Sequence, residues 1–343
     1  MGLPQWAAAS AFRRIAATTP QFFTRNGLPY DYDADASPPE RWLRFCNEVW
    51  EHDPEQIDLL QEVFGYLLTP DTSMQKFFMI LGPTRGGKGV ITKTLTSLVG
   101  KRSVCSPKLA DLGLRFGLEA TLGKSLATVA DMRIGAKSDR QDIVGNILRI
   151  VGEDDVDVER KNIGGAWTGK LDIRIFIASN MMPPLPDVSG ALIARLITLT
   201  TQRSFVGQED PALGKTLQDE LPGILNWSIE GWRRLHEHGR FTATAESKLV
   251  AEKMADLASP LNAFLRECCE LDPEAKTPRD DVWRAYDQFV LMRDLPVVYS
   301  ASNYFHRDLE VAAQHRITEF RPRVNGKQVK HWKGLRLLPQ DDD

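Results

Sequence analysis

The residues with the clearest chemistry are Gly82-Pro83-Thr84-Arg85-Gly86-Gly87-Lys88-Gly89. They fit the spacing G-x4-G-K, directly after the apolar run Phe77–Leu81 and directly before a helical pattern of Val90, Ile91, Leu95 and Leu98. Glycines let a backbone curl around a phosphate with its N–H groups turned inward. A helix N-terminus adds about half a positive charge, and a lysine supplies a full one. Residues Gly82 through Val90 are therefore expected to form a phosphate-binding loop, with Lys88 on the outer phosphates. The position after the lysine, where such loops place a hydroxyl for Mg²⁺, is Gly89. Thr92 lies nearly one turn further on, and magnesium is otherwise expected on phosphates, water and a carboxylate.

Such a loop needs a sheet to hold it. Phe77–Leu81, Leu126–Ala130, Ile173–Ala178 and Leu196–Thr200 are short continuous apolar runs, which suit strands buried on both faces. Helical patterns lie between them, including Ile143, Ile147, Ile150 and Val151. The expected class is α/β with a parallel sheet. Ligands bind beyond the carboxyl ends of such strands. The second run ends in Asp131, the third in Asn180, and the fourth is preceded by Arg195. Nucleotide hydrolysis calls for an acid near a metal, a polar group that places water, and often an arginine that neutralises the transition state. Taken singly, Asp131 reads equally as a turn former, Asn180 as a helix cap before Pro183-Pro184, and Arg195 as a surface charge. Together with the loop they form one candidate site.

The 343 residues, 42% hydrophobic and 26% charged with a net charge of −3, exclude a disordered chain and a uniformly basic nucleic-acid binder. No apolar run is long enough for a membrane span, and no basic-then-apolar leader opens the chain. The four cysteines lack metal-ligand spacing, and the vicinal pair Cys268–Cys269 is ill suited to a structural bridge. A reduced, cytoplasmic protein without membrane contact is expected. The chain divides into a helical N-terminal collar (1–73), the α/β core (74–206), a helical subdomain and linker (207–272) and a C-terminal module (273–343). In the collar, Ala8–Thr19 reads as a short helix. Ser37 reads as the cap of a helix carrying Trp42, Phe45 and Val49, and a second helix follows Asp53-Pro54.

Two segments carry local positive charge. Val156 and Val158 alternate, Gly164-Gly165 marks a turn, and Leu171, Ile173 and Ile175 alternate beyond it, so residues 152–174 read as a hairpin inserted before the third strand. From Arg316 to Arg336 there are seven basic residues and one acid, +6 in a chain of net charge −3. Two helices followed by a strand pair centred on Asn325-Gly326 suggest a winged-helix-like module. Its residues Arg321, Arg323, Lys327, Lys330 and Lys333 are candidates for salt-sensitive contact with nucleic acid.

The chain resembles the superfamily 3 helicases, in particular the phage and plasmid primase–helicases with a poxvirus-type helicase portion. The marks are Leu59-Leu60-Gln61-Glu62 through Gly65-Tyr66, Gly82 to Gly89, Gly152-Glu153-Asp154 through Glu159-Arg160-Lys161, Ile177-Ala178-Ser179-Asn180 with Pro183, Ser189-Gly190-Ala191 with Arg195, and Ser204-Phe205. The resemblance implies an AAA+ core that assembles as a hexameric ring and uses ATP and Mg²⁺ to move along single-stranded DNA at a fork. By resemblance, Lys88 is the phosphate-loop lysine, Asp131 the metal-associated acid, Asn180 the sensor and Arg195 the finger reaching a neighbour's ATP. The hairpin would grip the DNA backbone through Lys161 near its tip, with Arg160 and Lys170 beside it. Many relatives carry two acids at the second strand's end where this chain has Ala130-Asp131, so the general base is unassigned, with Glu153, Asp154 and Asp155 as candidates. The relatives' primase half has no counterpart in these residues, so primer synthesis is not expected, and a primase or polymerase in cis or trans is an expected partner. Two other readings stay open: a nucleotide-switched DNA-binding initiator or loader without processive unwinding, and a non-catalytic assembly protein with a vestigial loop.

Overall fold

The four apolar runs are strands, and they pair with one another. In chain order the strands are β1 (Phe77–Leu81), β2 (Val104–Cys105), β3 (Leu126–Val129), β4 (Asp155–Val158), β5 (Trp167–Lys170), β6 (Arg174–Ser179) and β7 (Leu196–Thr200). Five of them form one parallel sheet in the order β2-β3-β6-β1-β7. All residues of β1 and β3 are buried, as expected for strands covered on both faces. The computed structural model describes residues 27–339 apart from 29, 52, 131–139, 163, 183, 184, 186–189, 325 and 326. The expected helix over Ala8–Thr19 and the acid Asp131 lie outside the described residues. The chain forms two units, one up to residue 183 plus Ala194–Ala251, the other comprising 184–193 and everything from Glu252.

In the first unit, α1 (Glu40–Val49), α2 (Pro54–Leu68), α3 (Lys88–Val99), α4 (Arg140–Gly152), α6 (Leu213–Asp219) and α7 (Leu221–His238) accompany the sheet, with the short α5 (Ala191–Arg195) leading into β7. The cap expected of Ser37 is not what starts α1. Its first free amides, those of Arg41 and Trp42, donate to the Glu220 carboxylate at 2.9 Å each. An acid 178 residues away in sequence thus caps the helix. Asp53 does cap α2, accepting from the Gln56 amide at 3.3 Å. The helices α2 and α7 approach closely at two glycines, Gly65 and Gly231, each facing larger residues of the other helix. A Cβ on Gly65 would stand 2.7 Å from Trp232 Cβ, and one on Gly231 would stand 2.7 Å from Gln61 Cγ. Beside this contact the fully buried Glu62 accepts from Arg234 Nε (2.8 Å), the Thr242 amide (2.7 Å) and the Thr242 hydroxyl (2.8 Å). Every acceptor site of a buried carboxylate needs such partners.

The second unit holds α9 (Pro260–Cys268), α10 (Arg279–Met292) and α11 (Ser302–Ala312). Its strands β9 (Lys276–Pro278), β10 (Thr318–Phe320) and β13 (His331–Lys333) form an antiparallel sheet in the order β10-β13-β9. Between β10 and β13 lies the antiparallel pair β11 (Arg323–Val324) and β12 (Lys327–Gln328), with Val324 opposite Lys327. Short β8 (Cys269–Glu270) pairs with β14 (Arg336–Leu337). Two helices, a strand and a hairpin follow one another in chain order. All four cysteines carry free thiols. At the centre, Trp332 Nε1 donates to Nδ1 of the buried His306 at 3.1 Å. Burial, reinforced by the nearby Arg279 charge, lowers the His306 pKa to about 4.

Two outcomes follow from this packing. Gly231→Ala should lower stability by about 1–3 kcal/mol, because the two backbones would have to separate, and a thermal melt against wild type measures it. His306 ordinarily titrates near 6.5. Because the fold holds the neutral ring, its contribution is complete above that pH and is lost as pH falls toward about 4. The difference in melting temperature between wild type and His306→Gln should therefore shrink or reverse between pH 7 and pH 4.5. A pH-independent difference would contradict the assignment.

Candidate nucleotide-binding site

The glycine loop expected to bind phosphate begins where β1 ends, and both neighbouring strands hold it there. The Gly82 amide donates to Ser179 O at the end of β6 (3.3 Å), while the Thr201 amide beyond β7 donates to Leu81 O (2.7 Å). The residues after β7 then run along the loop as a strap. Ser204 Oγ donates to Thr84 O at 2.9 Å, the Phe205 amide donates to Arg85 O at 3.0 Å, and Glu209 sits 3.6 Å from Arg85 Nε. Glycine is required on the loop's inner side. A Cβ on Gly86 would come within 2.7 Å of Thr201 Oγ1, and one on Gly82 would press into the same threonine. Gly87 takes φ 86° as the residue before α3 and lies against Phe45 and Val49 of α1.

Lys88 opens α3, and its buried ammonium donates to Gly82 O (2.8 Å) and Pro83 O (2.6 Å). Burial lowers its pKa. From β6 the exposed Asn180 reaches the same loop, its Nδ2 lying 3.5 Å from Thr84 Oγ1. Lys88 and Asn180, 92 positions apart in the sequence, therefore meet one loop. Asp131 falls outside the described residues; β3, whose end precedes it, lies beside β6. Thr92, the alternative to the missing loop hydroxyl, bonds within its own helix. Its Oγ1 donates back to Lys88 O at 2.9 Å. Around Gly89 there is open space for a Cβ, so sterics do not demand glycine there.

Arg195 is placed elsewhere. It immediately precedes β7, and Leu196 pairs with Phe77 at the start of β1. The arginine thus sits at the amino edge of the sheet, about 17 Å from the loop by the length of β1. Beside it is a residue that the sequence pattern did not single out. Lys76 Nζ donates to Ala194 O at 2.7 Å, and burial together with the Arg195 charge lowers its pKa.

The predicted hairpin is present, β4 against β5 with Val158 opposite Trp167. Lys161 is exposed at its tip, and Arg160 beside it is half-buried. Lys170 is not beside them. It stands at the root, opposite Asp155, with Nζ 2.7 Å from Glu153 Oε1. Glu153, Asp154 and Asp155 all belong to that root, and Glu153 is already bonded to Lys170 and Thr72. The tip rests on the segment after β2: Arg115 Nε donates to Glu159 at 2.6 Å, and the Lys161 amide lies 3.3 Å from Glu119. A cleft of about 810 Å³ there includes Arg115, Phe116 and Lys161 in its lining, and the Arg115 guanidinium lies over the Phe116 ring at 5.3 Å. Arg115 and Phe116 carry no local sequence signal and emerge only from this contact.

In the second unit Arg321 donates to Glu319 at 2.9 Å, and Glu319 also binds Arg279. Arg323, Lys330 and Lys333 are exposed, and Lys327 joins the hairpin ladder. Arg336 is bonded to Glu270 and Asp272, which offsets part of the segment's positive charge.

Residues 80–195, from the end of β1 through Arg195, match DUF5906, described as a family of unknown function. Among solved structures, the chain is similar to the apo C-terminal region of NrS-1. The A form of that region superposes with a TM-score of 0.55 at 11% identity, over 88% of this chain and 78% of the other. A second structure of the same region gives 0.55 at 12% identity, over 89% and 79%. The fold is shared. No curated protein matches the sequence. Among the described residues, no helix is long and apolar enough to cross a membrane.

The loop geometry yields a paired outcome. Gly82→Ala should abolish binding of a non-hydrolysable ATP analogue, because its Cβ presses on Thr201. Gly89→Ala, in open space, should bind within about twofold of wild type. Fluorescence titration of both variants measures this, and equal binding by the two would contradict the loop assignment.

Proposed function

We propose that the chain is an ATP-driven motor on single-stranded DNA, a ring-forming helicase with an AAA+ core. The observation that carries the reading is the arrival of the Lys88 ammonium and the Asn180 amide at one glycine loop, from the ends of adjacent parallel strands. The loop fits a phosphate chain. Its glycines give the backbone its curve, the α3 N-terminus faces it, and Lys88 carries the compensating charge. Asn180 would position water or the terminal phosphate. Mg²⁺ would contribute charge neutralisation, with Asp131 as its acid.

The reading explains why Arg195 stands at the far edge. A cation separated from its own loop by the length of β1 can serve only a phosphate carried by a neighbouring copy. Lys76 beside it would add a second positive charge to that edge. An arginine delivered in this way contributes on the order of 10³-fold or more to rate. Lys161 with Arg160, and the Arg115–Phe116 pair next to them, would face the DNA backbone and bases. The second unit would add duplex or fork contact through Arg321, Arg323, Lys327, Lys330 and Lys333. The fold shared with the NrS-1 C-terminal region, and the resemblance to primase–helicases, support a place in mobile-element DNA replication.

A second reading, a nucleotide-switched initiator or loader, is favoured by one feature. Gly89 offers no hydroxyl where such loops place one for Mg²⁺, so metal-dependent turnover would be slow. Strand displacement on a forked substrate separates the two, since only the motor performs it.

If active sites are shared, ATP turnover per chain should rise steeply with protein concentration and rise further with single-stranded DNA. Doping Arg195→Ala into wild type should depress turnover more than dilution does. A linear decline with mutant fraction would refute sharing. Lys161→Ala should remove the DNA stimulation and leave basal turnover in place.

A further inference from the structure

Two non-glycine residues with left-handed backbone face one another at the root of the β4–β5 hairpin: Gln75 at φ 52° and Glu153 at φ 67°. L residues keep this conformation only where their surroundings over-determine it. Glu153 takes it as the residue closing α4, where the Asp154 amide donates to Arg149 O at 3.0 Å and the Glu153 amide to Ile150 O at 3.4 Å. Gln75 takes it in a turn where its own amide donates to Thr72 O at 2.9 Å. The two segments are then bonded to one another. Gln75 Nε2 donates to Gly152 O at 3.2 Å, and the Thr72 hydroxyl donates to the Glu153 carboxylate. Lys170 Nζ donates to the same carboxylate oxygen at 2.7 Å. Gly152 and Glu153 lead into β4 and Lys170 ends β5, so both ends of the hairpin are tied to the turn at Thr72–Gln75. That turn runs straight into Lys76, whose ammonium holds Ala194 O next to Arg195.

We propose that the Gln75–Glu153 clamp is a positioning device that couples the hairpin to the Lys76–Arg195 edge of the sheet. A displacement of the tip is passed through Glu153 and Thr72 to Gln75 and Lys76, and from Lys76 to the backbone that carries Arg195. The inference rests on the motor reading. It adds residues that touch neither nucleotide nor DNA yet set how far DNA binding alters turnover.

The test uses the full chain with Gln75→Ala, Glu153→Ala, the double variant and Glu153→Gln, which keeps the Thr72 contact. Two quantities are read: ATP turnover with and without an oligothymidine, and backbone hydrogen exchange. Basal turnover is read on Gln75→Ala, which lies outside the candidate catalytic residues, and should stay within about twofold of wild type. Stimulation by oligothymidine should fall at least about threefold in each alanine variant, with the double variant no worse than the singles. Glu153→Gln should be intermediate. Exchange should accelerate through β4 and β5, at residues 76–77 and at residues 194–196. Wild-type stimulation with faster exchange confined to residues 152–154 would reduce the clamp to a local structural contact and overturn the proposal. If wild type shows no stimulation by oligothymidine, the motor reading fails, and exchange alone judges the clamp. Spread to residues 194–196 sustains it, and confinement overturns it.

Discussion

The structure depends on one backbone arrangement: the suspension of the glycine loop Gly82–Gly89 between two strand ends. Leu81 and Gly82 are bonded to Thr201 on one side and Ser179 on the other. Those bonds exist because β6 and β7 flank β1 in parallel register, and the register exists because the strands bury their residues on both faces. Each flanking strand then delivers its own chemistry to the loop. β6 brings Asn180, and β7 brings Thr201 and the strap through Glu209. The helix α1 closes the back through Phe45 and Val49, which leaves only tight space for a Cβ at Gly87, a position already at φ 86°.

The same parallel register imposes a separation. Whatever lies before β1 or β7 is carried to the opposite edge of the sheet from whatever lies after it. Lys88 and Arg195 are thereby held at opposite edges of the sheet, which is why the proposed motor reading has Arg195 serve a neighbouring copy. Lys76 and Arg195 stand together at that edge because Phe77 pairs with Leu196. The hairpin enters from there too, since Lys170 ends β5 only a few residues before β6 begins.

Much of the core was legible in the sequence because continuous apolar runs and a glycine-rich turn are local signals. The four long strands, the loop, the hairpin and the strand-end position of Asn180 all follow from such signals. The two-residue β2 is too short to leave a pattern. The Glu220 cap of α1, the Lys76–Ala194 bond and the Arg115–Phe116 pair at the hairpin tip arise from contacts between distant segments, which no spacing encodes. Lys170 was misplaced for a related reason. Its charge suggested the tip, but the pairing of Asp155 with Lys170 puts it at the root. In the second unit, helix periodicity and the turn residues indicated the architecture. The internal pairing of the basic residues with Glu319, Glu270 and Asp272 depends on register and was not readable.

The central claim is that this loop holds a triphosphate through Lys88. Calorimetric titration of magnesium ATP into the full chain, wild type beside Lys88→Ala, tests it most directly. The account predicts saturable binding by wild type at about one nucleotide per chain and its loss in the variant, with the melting temperature nearly unchanged. Equal heats from the two proteins, or none from wild type, would contradict it.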